Sequence, residues 1–280
     1  MPDPIEVPLP DGRVLVAHDG GEPTDGARLT VVWHHGSPQS GRILQPIAEA
    51  ASPRGIRLVS FARAAYGGST RNAGRDVASV GIDVEHLADT LGLQRFAVMG
   101  ASGGGAHALA CAARMPDRVT GVVTFASPAP FTAAFDWFAG MRSPAALEAA
   151  VLGFEARSAF AATNQFDRAQ FTAADWAALA GPWQALGQDA QREGEAGPDG
   201  LVDDDLALTA PWGFDLAEVR QPVLLVHGGE DRVIPIAHGR HLLDALSAAQ
   251  LWVRPHDGHV AVLLALPVAM DWLLDLAATA

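Results

Sequence analysis

One serine in this chain occurs in a sequence context that could make it a nucleophile. Ser102 lies in Gly100-Ala101-Ser102-Gly103-Gly104, which reads G-x-S-x-G, between an apolar run of strand length and an alanine-rich run of helical composition. A serine in a sharp strand-to-helix turn projects its hydroxyl above the sheet, and its neighbours must lack side chains so that the chain can fold back. The first N–H groups of the following helix favour a developing negative charge. The pattern predicts a nucleophile at position 102.

This turn has two other interpretations. One is a glycine-rich strand-to-helix turn in which the serine has no chemical role. The other is a dinucleotide-binding turn, in which glycines cradle a pyrophosphate. That fingerprint needs glycine where Ser102 stands and usually follows the first strand of its fold, whereas this turn falls a third of the way along the chain. We therefore favour the nucleophile.

A serine hydroxyl is a poor nucleophile unless a base accepts its proton, and the base needs a carboxylate that orients it. Two later loops supply both groups. The apolar run 223–226 leads into a loop that contains Asp231, and the run 251–254 leads into a loop that ends at His259. The carboxyl ends of parallel strands meet at one edge of a sheet, so we expect Ser102, Asp231 and His259 to lie together.

Strand and helix patterns alternate along most of the chain, which indicates a mainly parallel sheet with helices on both faces. The segment 128–213 interrupts this alternation, because it is helical in pattern, rich in aromatic residues and without a strand signal. We interpret 1–127 and 214–280 as one core domain and 128–213 as a helical lid inserted into it. An alternating stretch around Asp11-Gly12 predicts a β-hairpin at the edge of the sheet. Thr172-Ala173-Ala174-Asp175 matches a capping box at the start of a lid helix.

Taken together, these features resemble the α/β-hydrolase family, specifically its lid-bearing serine hydrolases, from about residue 12 to residue 275. The resemblance implies an eight-stranded, mainly parallel sheet. The pattern G-x-x-D-x-x-x-P is matched by Gly228, Asp231 and Pro235 and implies that Asp231 is the acid. The Gly258-His259 pair before the last helix implies that His259 is the base. His35-Gly36-Ser37-Pro38 matches the pattern H-G-x-P, which implies an oxyanion hole made by the N–H groups of Ser37 and Gly103.

Other assignments stay open at this point. Glu230 is an alternative acid and His256 an alternative base, although the family patterns favour Asp231 and His259. We expect His34 and His35 to be structural hydrogen-bonding groups and His107 to contact the core or the lid. One loop departs from the family, since it reads Arg63-Ala64-Ala65-Tyr66-Gly67-Gly68-Ser69 where relatives have R-x-G-Y-G-x-S. A metal site at His238, His241 and Asp244 lacks a convincing third ligand, so we predict neither a metal nor a cofactor.

Composition narrows the class of protein. The 280 residues are 49% hydrophobic and carry a formal net charge of -13, which disfavours nucleic acid and anionic membranes as partners. All 19 basic residues are arginine, so catalysis by a lysine Schiff base and the P-loop lysine are excluded. Cys111 is the single cysteine. No signal peptide pattern or uninterrupted apolar run of membrane-spanning length is visible, so we expect a cytoplasmic protein, a monomer or homodimer, that acts on a small molecule.

The function predicted from these observations is hydrolysis of an ester-type bond in a small apolar substrate. Ser102, His259 and Asp231 would form and release an acyl-enzyme. Within the same family, an amidase or aminopeptidase, a hydrolase of carbon–carbon bonds and a cofactor-free haloperoxidase-like enzyme are alternatives. A ligand-binding receptor that retains the fold is a further alternative of another class. The substrate pocket cannot be read from the sequence, although lid aromatics such as Trp137, Trp183 and Trp212 are candidates for its lining.

Overall fold

A computed structural model of the protein describes residues 3–23, 26–133, 135–163 and 165–279. Eight strands form one sheet: β1 Ile5–Pro8, β2 Val14–Asp19, β3 Leu29–His34, β4 Ile56–Phe61, β5 Phe96–Ala101, β6 Val119–Phe125, β7 Val223–Gly228 and β8 Ala249–Arg254. Their spatial order is β1-β2-β4-β3-β5-β6-β7-β8. The hairpin β1–β2 is antiparallel, β2 is antiparallel to β4, and all other neighbours are parallel. The predicted eight-stranded, mainly parallel sheet is confirmed.

Within the described residues, ten α-helices accompany the sheet: α1 Gln45–Ala51, α2 Ser79–Thr90, α3 Gly103–Arg114, α4 Ala145–Val151, α5 Phe154–Thr163, α6 Ala173–Ala180, α7 Gln184–Ala196, α8 Asp199–Leu208, α9 Ile236–Ala245 and α10 Leu266–Thr279. Helices α2, α3 and α9 pack in one hydrophobic cluster with one face of the sheet. Helices α1 and α10 belong to a second cluster on the other face. Strands covered on both faces are apolar at nearly every position, as the fully buried run Val223–Gly228 illustrates.

Helices α4 to α8 all lie between β6 and β7, in the segment interpreted as a lid. The described residues of 128–213 form helices and turns and contain no strand. Helix α6 begins with the capping box predicted from the sequence, in which Thr172 and Asp175 exchange hydrogen bonds. Buried carboxylates tie the segment to the loops at the carboxyl ends of the strands. For example, Asp189 on α7 accepts hydrogen bonds from the Ser40 N–H at 2.9 Å and from the Ser40 hydroxyl at 2.7 Å.

Within the described residues, one helical segment, Ala261–Thr279, is long and apolar enough to cross a membrane, with a mean hydropathy of 1.8. Half of this segment is buried inside the protein. Its apolar side chains belong to the cluster that α10 shares with α1 and the sheet, and Asp271 on it pairs with Arg54 at 2.7 Å. A core helix of a folded domain has the same length and composition, and the packing of this helix fits that description.

Candidate active site

Ser102 occupies a strained turn between β5 and α3. Its φ of 53° and ψ of -130° lie in a region that side-chain-bearing residues rarely adopt. The surrounding turn has no room for side chains, because a Cβ at Gly100 would collide with the Gly104 carbonyl and one at Gly104 with the His34 carbonyl. Glycines at these positions therefore let α3 start against the end of the sheet. The turn leaves the Ser102 hydroxyl at the carboxyl edge of the central strands.

The structure brings Ser102, His259 and Asp231 into one hydrogen-bonded line. The Ser102 Oγ lies 3.0 Å from Nε2 of His259, and Nδ1 of His259 lies 2.8 Å from Oδ2 of Asp231. The other carboxylate oxygen, Oδ1 of Asp231, accepts the N–H groups of Val233 at 2.8 Å and Ile234 at 2.9 Å. Backbone donors thus hold the carboxylate in place, and the carboxylate orients the imidazole with Nε2 facing the serine.

The charge of Asp231 controls the protonation of His259. Burial by itself lowers the pKa of His259, but the charge and hydrogen bond of Asp231, with a smaller contribution from Asp175, outweigh burial and raise it. A raised pKa makes this imidazole a better proton acceptor, and it stabilises the imidazolium that forms when the serine loses its proton. The arrangement is chemically suited to general-base activation of Ser102.

Asp175 from helix α6 holds the loop that carries His259, a role that sequence reasoning missed. Its Oδ1 accepts the N–H groups of Val260 at 2.7 Å and Ala261 at 2.8 Å, immediately after His259. Its Oδ2 accepts the N–H and the hydroxyl of Thr172. A Cβ at Gly258 would collide with this carboxylate, which gives a local reason for glycine before His259. The capping box was the only sequence signal at Asp175, and it did not point to the catalytic loop.

Ser37 and Gly103 line the same cavity as Ser102. Gly103 is the first residue of α3, and a Cβ placed on it would lie 3.7 Å from the Ser37 Oγ, so the two loops are in close proximity. In the described part of the chain neither N–H has a protein acceptor. Two free donors next to a nucleophile can bind the negative oxygen of a tetrahedral intermediate.

A buried ionic cluster lies under the Ser37 loop, and the sequence did not reveal it. Its centre is Asp204 on α8, which pairs with Arg63 at 2.6 Å and with Arg75, and accepts the hydroxyl of Tyr66 at 3.0 Å and that of Ser37. Burial by itself raises the pKa of Asp204, but the two guanidinium groups outweigh burial and hold it well below its usual value. The cluster joins helix α8 to the loop that would form the oxyanion hole.

Two chambers open on either side of Ser102. The larger has a volume of about 620 Å³ and is lined mainly by apolar side chains, among them Phe171, Trp176 and Leu263, together with His259. The smaller has a volume of about 240 Å³ and is lined by Gly103, by aromatic residues and by several polar side chains. Ser37, Pro38, Ser102 and Phe166 line both chambers. A substrate held at the serine can therefore place one part in each chamber.

The three candidate tryptophans occupy different places. Trp137 lines the smaller chamber. Trp183 and Trp212 instead pack in the hydrophobic clusters on opposite faces of the sheet, and neither lines a chamber. Trp176 on helix α6, which was not among the three candidates, lines the larger chamber. Helical periodicity cannot tell a cavity-facing aromatic residue from one that faces the sheet, because both faces are apolar.

The alternative acid and base lie outside the site. The side chain of His256 is 92% exposed and that of Glu230 is 50% exposed, and the two face each other at 3.8 Å. His35 has the structural role expected of it, since its Nε2 accepts the N–H of Arg63 at 3.1 Å. His34 differs from expectation. Neither of its ring nitrogens has a partner in the described part of the chain, and burial lowers its pKa well below the usual value, so the ring is a neutral packing group against Phe61.

The remaining histidines that the sequence singled out have backbone or core partners. His107 is fully buried between the Val77 carbonyl, at 3.3 Å, and Asp204, at 3.7 Å, so it contacts both the core and α8. In His238, Nδ1 accepts the Ala129 N–H and Nε2 lies 2.9 Å from the Trp137 carbonyl, which occupies both ring nitrogens. The described residues contain no group of three or more His, Cys, Asp or Glu side chains that could hold a metal ion.

The loop that departs from the family pattern stores local strain. Ala65 has a φ of 71°, in the left-handed region where glycine is favoured. The next residue, Tyr66, is buried against Asp204 and His35. The alanine thus keeps the backbone path that a glycine would take, and the loop still delivers Arg63 and Tyr66 to the ionic cluster.

Comparison with known proteins identifies the family. Residues 30–266 match the model of the alpha/beta hydrolase fold. The chain belongs to the α/β-hydrolase family. It is 29% identical over 246 residues to the pimeloyl-[acyl-carrier protein] methyl ester esterase of Nitrosomonas europaea, covering 86% of this chain and 92% of that protein. It is also 29% identical over 246 residues to the non-heme chloroperoxidase of Streptomyces lividans, covering 81% and 82% of the two chains.

Solved structures show the same fold. A thermophilic esterase from Thermogutta terrifontis superposes with a TM-score of 0.73 at 20% identity, covering 99% of this chain and 100% of that chain.

The family model and the sequence relatives show that this α/β-hydrolase is an enzyme of the hydrolase class, as predicted. The named relatives differ in the chemistry given in their names, so the bond that is cleaved has to be argued from the site.

Proposed function

We propose that this α/β-hydrolase is a serine hydrolase that cleaves ester bonds in small, largely apolar substrates. The observation that carries the proposal is the line from Ser102 through His259 to Asp231, with contacts of 3.0 and 2.8 Å. The 620 Å³ apolar chamber beside it favours a small apolar substrate. The 29% identity to a protein named a methyl ester esterase is consistent with an ester bond, and similar identities link the chain to proteins named for other reactions. No resident metal or cofactor is part of the proposal.

The reaction would proceed in two halves. Ser102 Oγ attacks the ester carbonyl while Nε2 of His259 takes its proton, and the N–H groups of Ser37 and Gly103 bind the resulting oxyanion. His259 then returns the proton to the departing alcohol, which leaves an acyl group on Ser102. Water, activated by the same imidazole, attacks the acyl carbonyl, and the acid is released as Ser102 recovers its proton. The Asp231 carboxylate stabilises the imidazolium in both halves.

The segment 128–213 is proposed to act as a lid, because both chambers lie between it and the loops at the ends of the strands. Residues of this segment and residues of the core line each chamber together. Its chamber-facing side chains would set which substrates are accepted, and burial of the bound ester would exclude competing water from the oxyanion.

The proposal is tested with the Ser102→Ala variant and short p-nitrophenyl esters. Removing the nucleophile should lower kcat by about 10³-fold or more, while the variant stays folded by circular dichroism. A fluorophosphonate probe should label the native protein and fail to label the variant. A serine mechanism would be refuted if the Ser102→Ala variant turned over the esters at the native rate. It would also be refuted if Ser102 of the native protein never reacted with the probe.

A further inference from the structure

Helix α5 turns a single buried residue towards the interior, and that residue is an arginine. Among the described residues of the helix Arg157 alone is buried, with 3% of its surface exposed. Its Nε donates to Oδ2 of Asp205 on α8 at 2.7 Å. Buried arginine is rare unless paired, so the helix is organised around this cation and not around an apolar stripe.

The pairing leaves part of the guanidinium unused. In the described part of the chain, Nη1 of Arg157 is fully buried and has no hydrogen-bond partner. A buried N–H without an acceptor is unfavourable, and structures tolerate such groups mainly where a ligand or water completes them. Arg157 and Asp205 both line the 240 Å³ chamber that also contains Ser102 and Gly103. Nη1 itself is closed to the chamber, and Nε makes the hydrogen bond to Asp205, so an acceptor carried by the substrate would pair with the part of the guanidinium that lines the chamber.

The position of the base assigns the two chambers to the two halves of an ester. His259 must return its proton to the departing alcohol, so the alcohol has to lie beside the imidazole. His259 lines the larger apolar chamber and does not line the smaller one, whereas Gly103 lines only the smaller one. The alcohol part therefore belongs in the 620 Å³ chamber, and the acyl part belongs in the chamber that holds Arg157.

The charges of the smaller chamber favour a neutral acceptor over a carboxylate. Arg157 and Asp205 cancel each other, and Asp167, which also lines the chamber, pairs with Arg142 at 3.5 Å, so the lining has no uncompensated arginine for a carboxylate to bind. Burial raises the pKa of Asp205 to about 6, although Arg157 opposes this. A second buried carboxylate would have to be desolvated beside these acidic groups, whereas a ketone or ether oxygen would accept from the arginine without adding charge.

Resting on the proposed function, we propose that the substrate is an ester whose short acyl part carries a neutral oxygen acceptor, which hydrogen-bonds to Arg157. A chamber of 240 Å³ has room for roughly eight water-sized groups, at about 30 Å³ for each, which suits a short acyl chain with a terminal polar group. An oxo group two or three carbons from that carbonyl is the simplest acyl chemistry that meets both the volume and the donor. The alcohol part is apolar, as the larger chamber requires.

Three p-nitrophenyl esters of matched shape test the inference: the 4-oxopentanoate, the 4-methylpentanoate and the hemisuccinate. They differ only in the terminal group, which is an acetyl, an isopropyl or a carboxylate. A hydrogen bond from a charged donor predicts that kcat/KM for the 4-oxopentanoate is at least about tenfold higher than for the 4-methylpentanoate, after the uncatalysed rates are subtracted. The hemisuccinate should be the poorest of the three.

The Arg157→Met variant should reduce the ratio of kcat/KM for the 4-oxopentanoate to kcat/KM for the 4-methylpentanoate to about 1. The Arg192→Met variant should leave this ratio unchanged. Arg192 is a matched control because it lies on α7, is 67% exposed and lines neither chamber. Loss of Arg157 leaves Asp205 buried without its partner, so the double variant Arg157→Met/Asp205→Asn is measured as well. Because each ratio is taken within one variant, it does not depend on the folded fraction.

The outcomes separate this inference from the proposed function. The inference is overturned, while ester hydrolysis stands, if the native enzyme has equal kcat/KM for the 4-oxopentanoate and the 4-methylpentanoate. It is also overturned if both Arg157 variants keep the preference for the 4-oxopentanoate. A preference for the hemisuccinate that disappears with Arg157 overturns the neutral acceptor. Failure of the proposed function looks different, since none of the three esters would then be turned over by a Ser102-dependent route.

Discussion

The carboxylate of Asp175 offers a sharp test of how the inserted helical segment supports the catalytic loop. Its two oxygens accept four hydrogen bonds, two from the N–H groups that follow His259 and two from Thr172. In Asp175→Asn one oxygen is replaced by an NH₂ group, which faces donors and cannot accept from them. One of the two sets therefore loses its acceptor. At about 1–3 kcal/mol for each of the two buried groups left unsatisfied, the free energy of unfolding should fall by roughly 2–6 kcal/mol.

The same substitution should change catalysis in two distinguishable ways. Loosening the backbone next to His259 misplaces the imidazole, and a shift of about 1 Å can cost up to about 100-fold in kcat/KM. The charge of Asp175 also contributes to raising the pKa of His259. Only the neutral imidazole can accept the serine proton, so activity is lost as the pH falls through this pKa. The native acid limb should lie above the usual histidine value of about 6.5, and in Asp175→Asn it should move to lower pH.

Asp189→Asn is the matched control. Asp189 is also a buried carboxylate of the same helical segment that holds a core loop, through the N–H and hydroxyl of Ser40. It is not among the groups that shift the pKa of His259. Urea unfolding and pH profiles of kcat/KM with a p-nitrophenyl ester are measured for both variants. The reasoning is refuted if Asp175→Asn is destabilised but keeps the native acid limb, or if Asp189→Asn shifts that limb equally.

Two further predictions concern stability. Ala65 has a φ of 71°, so Ala65→Gly should raise the free energy of unfolding by about 1 kcal/mol because it removes left-handed strain, and an unchanged or lower urea midpoint would contradict this. Asp204→Asn leaves Arg63 and Arg75 buried without their counter-charge and should lower stability by about 3–5 kcal/mol. Because the pKa of Asp204 is lowered in the folded protein, its ionised carboxylate stabilises the native state above about pH 4, and this contribution is lost as the pH falls further. The free energy of unfolding of the variant should therefore change less with pH in the acid range than that of the native protein. Equal acid sensitivity of the native protein and the variant would argue against it.

Local patterns in the sequence predicted a large part of this protein. Apolar runs and their alternation with helical segments predicted the sheet, since strands covered on both faces must be apolar at every position. The glycines around Ser102 predicted the turn, because backbone carbonyls approach where Cβ atoms would stand. Three short motifs placed Ser102, Asp231 and His259 at strand ends, and a parallel sheet brings such ends to one edge. These inferences depend on backbone conformation and chain order, which short stretches of sequence encode.

Contacts between distant segments could not be predicted from the sequence. The sequence predicted the capping box at Thr172 and Asp175. It did not predict that the same carboxylate accepts the N–H groups of Val260 and Ala261, which are 85 and 86 residues away along the chain. Nor could the choice among Trp137, Trp176 and Trp183 as cavity-lining residues be made, because each is an apolar ring on a helical segment.

The buried charges show most clearly why such long-range contacts cannot be predicted from local sequence. The sequence Asp203-Asp204-Asp205 suggests an acidic helix start, but helix α8 begins at Asp199 and these residues lie in its middle. Nothing in the local sequence separates solvated carboxylates from buried ones. Only the tertiary structure pairs Asp204 with Arg63 and Arg75, and Asp205 with Arg157. A charge can be buried only where its partner is supplied from elsewhere in the fold, so its role is decided by packing between segments. The sequence by itself determined the sheet and the three motifs at its edge, whereas the packing of the helical segment against that edge decided the shape and charge of the space above Ser102.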